Sequence, residues 1–518
     1  MRLIPRLLVA ALCLSPLAAQ AEDDPARLYT QHCAACHGGD RLGAIGPALI
    51  PDNLGRMKKA EAERVIAQGR PATNMEGFAD RLGADEIAAL AGYIFSPLAQ
   101  APEWGLAQMR ASHVKGADSA SLPKAPPFAS DPLNLFTVVE AGDHHVTVLD
   151  GDRMEPLARF ATRFAVHGGA KYSPDGRFVY LASRDGWVSK YDMWTGAVLA
   201  EIRVGINTRN IAVSHDGRLV LAGNGLPNTL VMLDAGDLTP LAVIPVQGED
   251  KTPSRVSAVY DAPPRASFIV ALKDIKEIWE IPYGKGREPV YHGFVHNHEA
   301  GMAEGLADRS LFPARHIRTE EVLDDFFFDP GYRNIIGAAR DGKSGQVINL
   351  VTGQRIATLP LPGMPHLGSG ITFTWQGRPV LATPHLKEAA VSFIDMSTWH
   401  EIKRLPTCGG GFFMRGHENS PYAWVDCSLG QAKDSMQVID TRTLEIVKTI
   451  TPEPGRALGH AEFTRDGRFV LLSVMERDGA LLVADADSFA VVKRLPMVHP
   501  VGKYNVFNKI TLSAGTSH

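Results

Sequence analysis

The chain is 518 residues long, with 53 Lys and Arg against 57 Asp and Glu, a formal net charge of -4, and 45% hydrophobic residues. That length exceeds one ordinary core and predicts two or more domains. The mixed, slightly acidic balance lacks the basic stripe that nucleic acid requires, and no apolar run beyond the N-terminus reaches the ~18 residues needed to span a bilayer, so neither nucleic acid nor a membrane span is expected.

Residues 1–21 read as a secretory signal, with Arg2 and Arg6 as the basic start, Leu7 to Leu14 as the apolar stretch, and a small-residue cleavage site ending at Ala21. The next motif is Cys33-Ala-Ala-Cys36-His37. Its spacing lets two thiols add across the vinyl groups of a haem while the adjoining imidazole takes the iron. A covalent haem c is therefore expected, with His37 as axial ligand, on an exported protein of a bacterial periplasm. A redox or zinc cysteine pair is the competing reading, and it does not explain the histidine directly behind the second thiol.

The segment 22–100 is rich in Ala and predicts a small all-α, c-type cytochrome domain. Apolar residues at three and four spacing place helices over 58–68 and 84–95, after a first helix over 23–31 that leads into the motif. Between the later two, Pro71 to Phe78 has no helical period and presents Met75, a soft thioether suited to the sixth iron position. Met57 competes for that role, but its place at a helix start suits packing. The stretch 101–131 carries Pro102, Pro123, Pro126 and Pro127 without an apolar period and reads as a linker laid over a surface.

From 132 to 518 the texture is all β. Ser173-Pro-Asp-Gly-Arg-Phe-Val-Tyr, Ser214-His-Asp-Gly-Arg-Leu-Val-Leu and Thr464-Arg-Asp-Gly-Arg-Phe-Val-Leu are one phrase written three times, with weaker copies near Asp261, Asp329, Gln376 and Glu418. The interval is roughly forty to fifty residues, the length of one four-stranded propeller blade. Together with strands between Phe136 and Leu149, this predicts an eight-bladed β-propeller closed by a last strand around 505–512. A longer interval holds an insertion with His292, His296, His298 and His316; the first three lack an accompanying Cys or carboxylate pattern and read as solvated loop residues. Cys13 leaves with the signal. Cys408 and Cys427 remain either as a disulfide or as two buried thiols.

The mouth of a propeller gathers residues from every blade and suits a wide, flat ligand. Arg163-Phe-Ala-Val-His167 ends a strand before a Gly-Gly turn, and Met364-Pro-His366-Leu-Gly presents an imidazole from a Gly-rich loop. With a haem domain in front, and with Pro500 to Asn508 at the end, these segments resemble the cytochrome cd1 nitrite reductase family, whose propeller holds a second tetrapyrrole, haem d1. The resemblance spans nearly the whole mature chain. It implies His167 as the proximal and His366 as a distal d1 ligand, so that His37, Met75, His167 and His366 would be the iron ligands. Arg184 and Arg209 would bind propionates, as a guanidinium fork can. Taken alone, His167 is equally a rim histidine, and the two arginines equally solvated.

The departures from that family redirect the expected activity. Asp324 stands where the reductases place a proton-donating histidine, Ser369 where an arginine follows the second histidine, and His460 where they carry a glutamine. This pattern is similar to the biosynthetic branch, the dihydro-haem d1 dehydrogenases, which convert one propionate side chain of the precursor into an acrylate. By that resemblance His460 is the base, and Tyr504 hydrogen-bonds the carboxylate or relays the proton. His366 acts with His167 to hold the iron and keep nitrite off it. Electrons leave to the haem on Cys33 and Cys36, then to a periplasmic acceptor, with transient contact to the nitrite reductase. The competing readings are a working nitrite reductase with an altered pocket and a non-catalytic d1 carrier.

Overall fold

The structure is a computed structural model that describes residues 24–516 apart from 45, 56, 70–74, 165, 167–168, 288, 295–304, 340–342 and 513. The predicted signal segment lies outside the described residues. Helix α1 (Pro25–His32) starts where the Asp24 carboxylate accepts the Ala26 N–H, with proline in the first turn. Helix α2 (Ala34–His37) carries the haem motif, and α3 (Pro51–Leu54), α4 (Lys59–Gln68) and α5 (Ala84–Ile94) follow. Their apolar faces meet in one cluster around Tyr29, Ile66 and Leu90, and Cys33, Met57 and Met75 all pack against it.

The 101–131 stretch is more than a bare linker. Helix α6 (Leu106–Ser112) buries Met109 completely in the core between the second and third blades, and the Trp104 indole N–H donates to the Arg203 carbonyl at 2.8 Å. Val114 and Lys115 then pair with Ala200 and Glu201 as a fifth, outermost strand. A seven-residue helix with one buried anchor is too short to leave a periodic signal.

Beyond it stand eight antiparallel sheets of four strands, arranged as a β-propeller, with that added edge on the second. The repeated phrase has a local cause. In each copy the hydroxyl donates to the Asp two residues on, from Ser173 to Asp175 at 2.5 Å, Ser214 to Asp216 at 2.7 Å and Thr464 to Asp466 at 2.6 Å. The same carboxylate accepts the N–H of Arg177, Arg218 or Arg468, so the turn satisfies itself before any tertiary contact forms.

Ring closure falls earlier than expected. The closing strand is Pro500–Asn505, paired antiparallel with Leu135–Glu140. The next residues form α7 (Val506–Thr511), whose first turn is capped by the Asn505 side chain accepting the Asn508 N–H at 3.3 Å. A short apolar run fits either a strand or a helix turn by pattern, and the cap decides it here.

The insertion lies inside the fourth blade as a hairpin of Tyr291–Phe294 and Gly305–Ala307, after which Arg315–Arg318 supplies the blade's outer strand. His316 therefore belongs to the blade, stacked on Trp279 at 4.3 Å. His292 sits in the hairpin, and His296 and His298 lie outside the described residues. Among the described residues no three His, Cys, Asp or Glu side chains converge as a metal site, and no helix is long and apolar enough to cross a membrane.

The helical domain sits against the propeller. Ala48 and Ile50 pack on Ile206, the Arg203 guanidinium donates to the Leu42 carbonyl, and the Asn207 amide donates to Asn53 at 3.3 Å. Cys408 and Cys427 form a disulfide with their Cα atoms 5.7 Å apart, which settles the alternative left by the sequence.

Candidate functional site

Two sites emerge. In the first, Cys33 and Cys36 are free thiols on either end of one helical turn, with His37 beside them. The His37 Nδ1–H donates to the Pro47 carbonyl at 2.8 Å, which leaves the Nε2 lone pair able to ligate a metal. Burial pushes this imidazole below its usual range, keeping it in the neutral, ligating form. Gly46 packs so close that a Cβ there would lie 2.8 Å from the ring. Two thiols, an imidazole oriented by a backbone carbonyl, and Met75 and Met57 packed on the same cluster are a donor set that fits haem c.

The second site is a cavity of about 880 Å³ at the mouth of the propeller channel where the inner strands begin. It gathers His366, His460, Tyr504, Arg184 and Arg209, which are spread over more than three hundred residues of chain, and also Asp324 and Ser369. His167 lies outside the described residues; Val166 and Gly169 on either side of it line the cavity. The opposite end of the channel, a cavity of about 700 Å³, is lined by Lys171, Lys509 and other residues but by none of the predicted site residues.

His460 is aimed by a defect in its strand. The ladder of Leu458–Phe463 with Phe469–Val474 slips between Gly459 and Glu462, and His460 takes a left-handed φ of 50°, a bulge that re-aims the side chain. The Lys503 ammonium donates to the His460 carbonyl, and the Lys503 N–H lies 3.5 Å from Nδ1. Nε2 is buried with no hydrogen-bond partner among the described residues, an orphaned polar atom that a bound ligand would satisfy. Burial first, then the charges of Lys503, Arg415 and Lys509, push this imidazole well below 6.5, so it is neutral at pH 7.

His366 caps the short turn Leu367–Ser369, and its Nδ1–H donates to the Phe412 carbonyl at 2.6 Å. As with His37, that bond directs the Nε2 lone pair outward. The Tyr504 ring stands edge-on to His460 at 5.2 Å and lies over Gly169. Burial raises its hydroxyl to about 12, so it stays an O–H donor. Arg184 follows a strand end of the second blade, and its carbonyl accepts the Thr208 N–H of the third; Arg209 donates to the Ser257 carbonyl at 2.8 Å.

Several residues escaped the sequence reading. Arg415, which lines the cavity, pairs with Glu462 behind it at 3.3 Å, the two being 2% and 1% exposed. The Tyr260 hydroxyl donates to Asp325 at 3.0 Å, and Asp325 also accepts the Gly368 N–H, bracing the His366 turn. Asp324 lies 3.8 Å from Lys273. Nothing in the local pattern around Arg415 or Asp325 marks them; the triple glycine 409–411 just before Arg415 is the one signal that an unusual loop stands there.

Comparison with known proteins places this geometry. The Cytochrome D1 heme domain family matches residues 130–509, and the family described as Cytochrome C oxidase, cbb3-type, subunit III matches residues 20–94. Dihydro-heme d1 dehydrogenase of Pseudomonas aeruginosa is 52% identical over the full length of both chains. A nitrite reductase of Stutzerimonas stutzeri is 25% identical over 97% of this chain and 95% of its own. The solved structure described as dihydro-heme d1 dehydrogenase NirN in complex with DHE superposes with a TM-score of 0.85, at 52% identity, over 94% of this chain and 100% of that one.

Proposed function

The chain belongs to the Cytochrome D1 heme domain family, and from that membership we propose that it is a dihydro-haem d1 dehydrogenase of haem d1 biosynthesis, oxidising a propionate side chain of its substrate to an acrylate. The observation that carries this reading is the mouth cavity, which brings a neutral imidazole with an orphaned Nε2, a tyrosine hydroxyl and two guanidinium groups to one tetrapyrrole-sized space. The reaction turns –CH2–CH2–COO⁻ into –CH=CH–COO⁻ and releases two protons and two electrons.

In this proposal Arg184 and Arg209 hold substrate carboxylates by forked hydrogen bonds. Tyr504 donates its O–H to the carboxylate of the reacting side chain. His460 accepts a proton from that side chain, its neutral form held ready by burial. His366 and His167 would hold the substrate iron. Met75 completes the haem c site. Haem c, once bonded through Cys33 and Cys36, supplies a one-electron carrier. The two electrons of one turnover would leave singly to a periplasmic acceptor, the second proton would pass to solvent, and transient contact with the nitrite reductase would pass the product on.

Nitrite reduction is the rival, and Asp324 weighs against it: its carboxylate faces Lys273, where the reductases place an imidazole as proton donor. The test is anaerobic mixing of dihydro-haem d1 with at least a two-fold excess of oxidised holo-protein, so that two haem c groups take the two electrons from each substrate. The bound pigment's absorption should change to that of haem d1 as the haem c bands become those of the reduced form. Binding with neither change would leave a carrier, and nitrite turnover at a reductase's rate would restore the rival.

A further inference from the structure

One buried carboxylate touches both halves of the mouth site without lining it. Asp426 is completely buried at the end of the strand Ser420–Asp426. It accepts the backbone N–H of Phe412 at 2.8 Å and of Phe413 at 3.0 Å, one on each oxygen. The N–H of Ser428 lies 3.4 Å from the first oxygen and that of His460 3.5 Å from the second. Phe412 is the residue whose carbonyl receives the His366 Nδ1–H at 2.6 Å, and the Phe413 ring packs on His460 at 4.5 Å.

The segment so held is otherwise loosely specified. It begins Gly409-Gly410-Gly411, three residues with the widest backbone freedom, and they run past other backbone with no room to spare. A Cβ on Gly410 would come 2.9 Å from the Leu386 carbonyl, and one on Gly411 2.8 Å from the Asp426 carbonyl. The disulfide from Cys408 to Cys427 ties the start of this loop to the residue after Asp426.

We propose that Asp426 is a positioning residue for the oxidation, a single carboxylate that holds the iron-facing imidazole of His366 and the proton-accepting imidazole of His460 in one frame. Its path to His366 runs through the Phe412–Phe413 peptide: Asp426 fixes the Phe413 N–H, and the Phe412 carbonyl in the same peptide plane orients the ring. Its path to His460 runs through the Phe413 ring and through the backbone of His460 itself. Partners of this kind beyond the ligands typically change metal affinity or activity by about 10–100-fold when removed. The inference rests on the roles given to His366 and His460 above.

The experiment compares wild type, Asp426→Ala and Asp426→Asn as haem c-loaded full-length proteins, reading the absorption spectrum of bound dihydro-haem d1 separately from kcat and KM. Asp426→Ala should shift the spectrum of the bound pigment and lower kcat by about 10–100-fold, with KM changed far less. Asp426→Asn keeps one acceptor oxygen and the same shape, so it should fall between wild type and Ala in both readouts. If Asp426→Ala does not accumulate as soluble holo-protein, Asp426→Asn carries the test by its own shift and its own loss of kcat. Variants that lose only thermal stability, while the bound spectrum and kcat stay those of wild type, would overturn the proposal. Wild type that binds the substrate without oxidising it would sink the functional reading alone, because the spectral shift in the variants would still report the frame.

Discussion

His460 owes its state to neighbours that the fold brings in from elsewhere. The imidazole is faced by Lys503 on the closing strand, Arg415 from the seventh blade and Lys509 on α7, with the Tyr504 ring edge-on and the Asp426 carboxylate behind its backbone. Burial first, and then the basic groups of Lys503, Arg415 and Lys509, disfavour its charged form, so its pKa lies well below 6.5. A base must be unprotonated to act. The rate kcat/KM should therefore hold level as pH falls through 6.5 and drop only below it, and an acid limb centred at 6.5 or higher would contradict this account. His460→Ala should lower kcat by about 10²–10⁴-fold, the usual contribution of a general base, while leaving the bound substrate's spectrum close to that of wild type. In the helical domain, replacing Met75 by Ala should lower the haem c potential, because a thioether ligand raises it; an unchanged potential would transfer the ligand role to Met57.

At the scale of the element, what could be read from the sequence was what the chain settles locally. The Ser/Thr–Asp–Gly turns bond their own backbone within five residues, so the phrase announces a blade wherever it occurs. The haem motif is legible for the same reason, since its spacing is fixed by one helical turn. The His460 bulge is different: the group that grips it, Lys503, lies 43 residues away, and no pattern around position 460 contains that information. Helix α6 was missed because its single anchor, Met109, is apolar toward blade residues from Tyr180 to Leu238, far along the chain. The Cys408–Cys427 crosslink spans 19 residues and so restricts the unfolded chain by an amount worth about 3 kcal/mol. Cys408→Ala with Cys427→Ala should lower the denaturation midpoint accordingly, read by circular dichroism, with the haem c bands unchanged. A midpoint that stays in place would mean that blade contacts alone hold this loop.

The whole molecule joins a redox domain to a catalytic ring through the contacts around Ile206 and Arg203. Arg203 is central to it: its side chain donates to the Asp185 carbonyl of its own blade at 2.8 Å, reaches the Leu42 carbonyl beside the haem motif, and lies over the Trp104 ring at 4.6 Å. Arg203→Ala removes all three ties while leaving the mouth cavity intact. Substrate should bind as before, whereas reduction of haem c after mixing, followed by stopped-flow absorbance, should slow several-fold. Reduction at the wild-type rate would show that the apolar contact of Ala48 and Ile50 with Ile206 suffices to dock the two parts.

The strand that seals the ring is also the last one synthesised, and it delivers Tyr504 to the cavity and Lys503 to the back of His460. Until Pro500–Asn505 has threaded in beside Leu135–Glu140, a nascent or clipped chain possesses neither the hydroxyl nor the clamp on the bulge. The chamber is complete only after the first and last strands of the ring have paired.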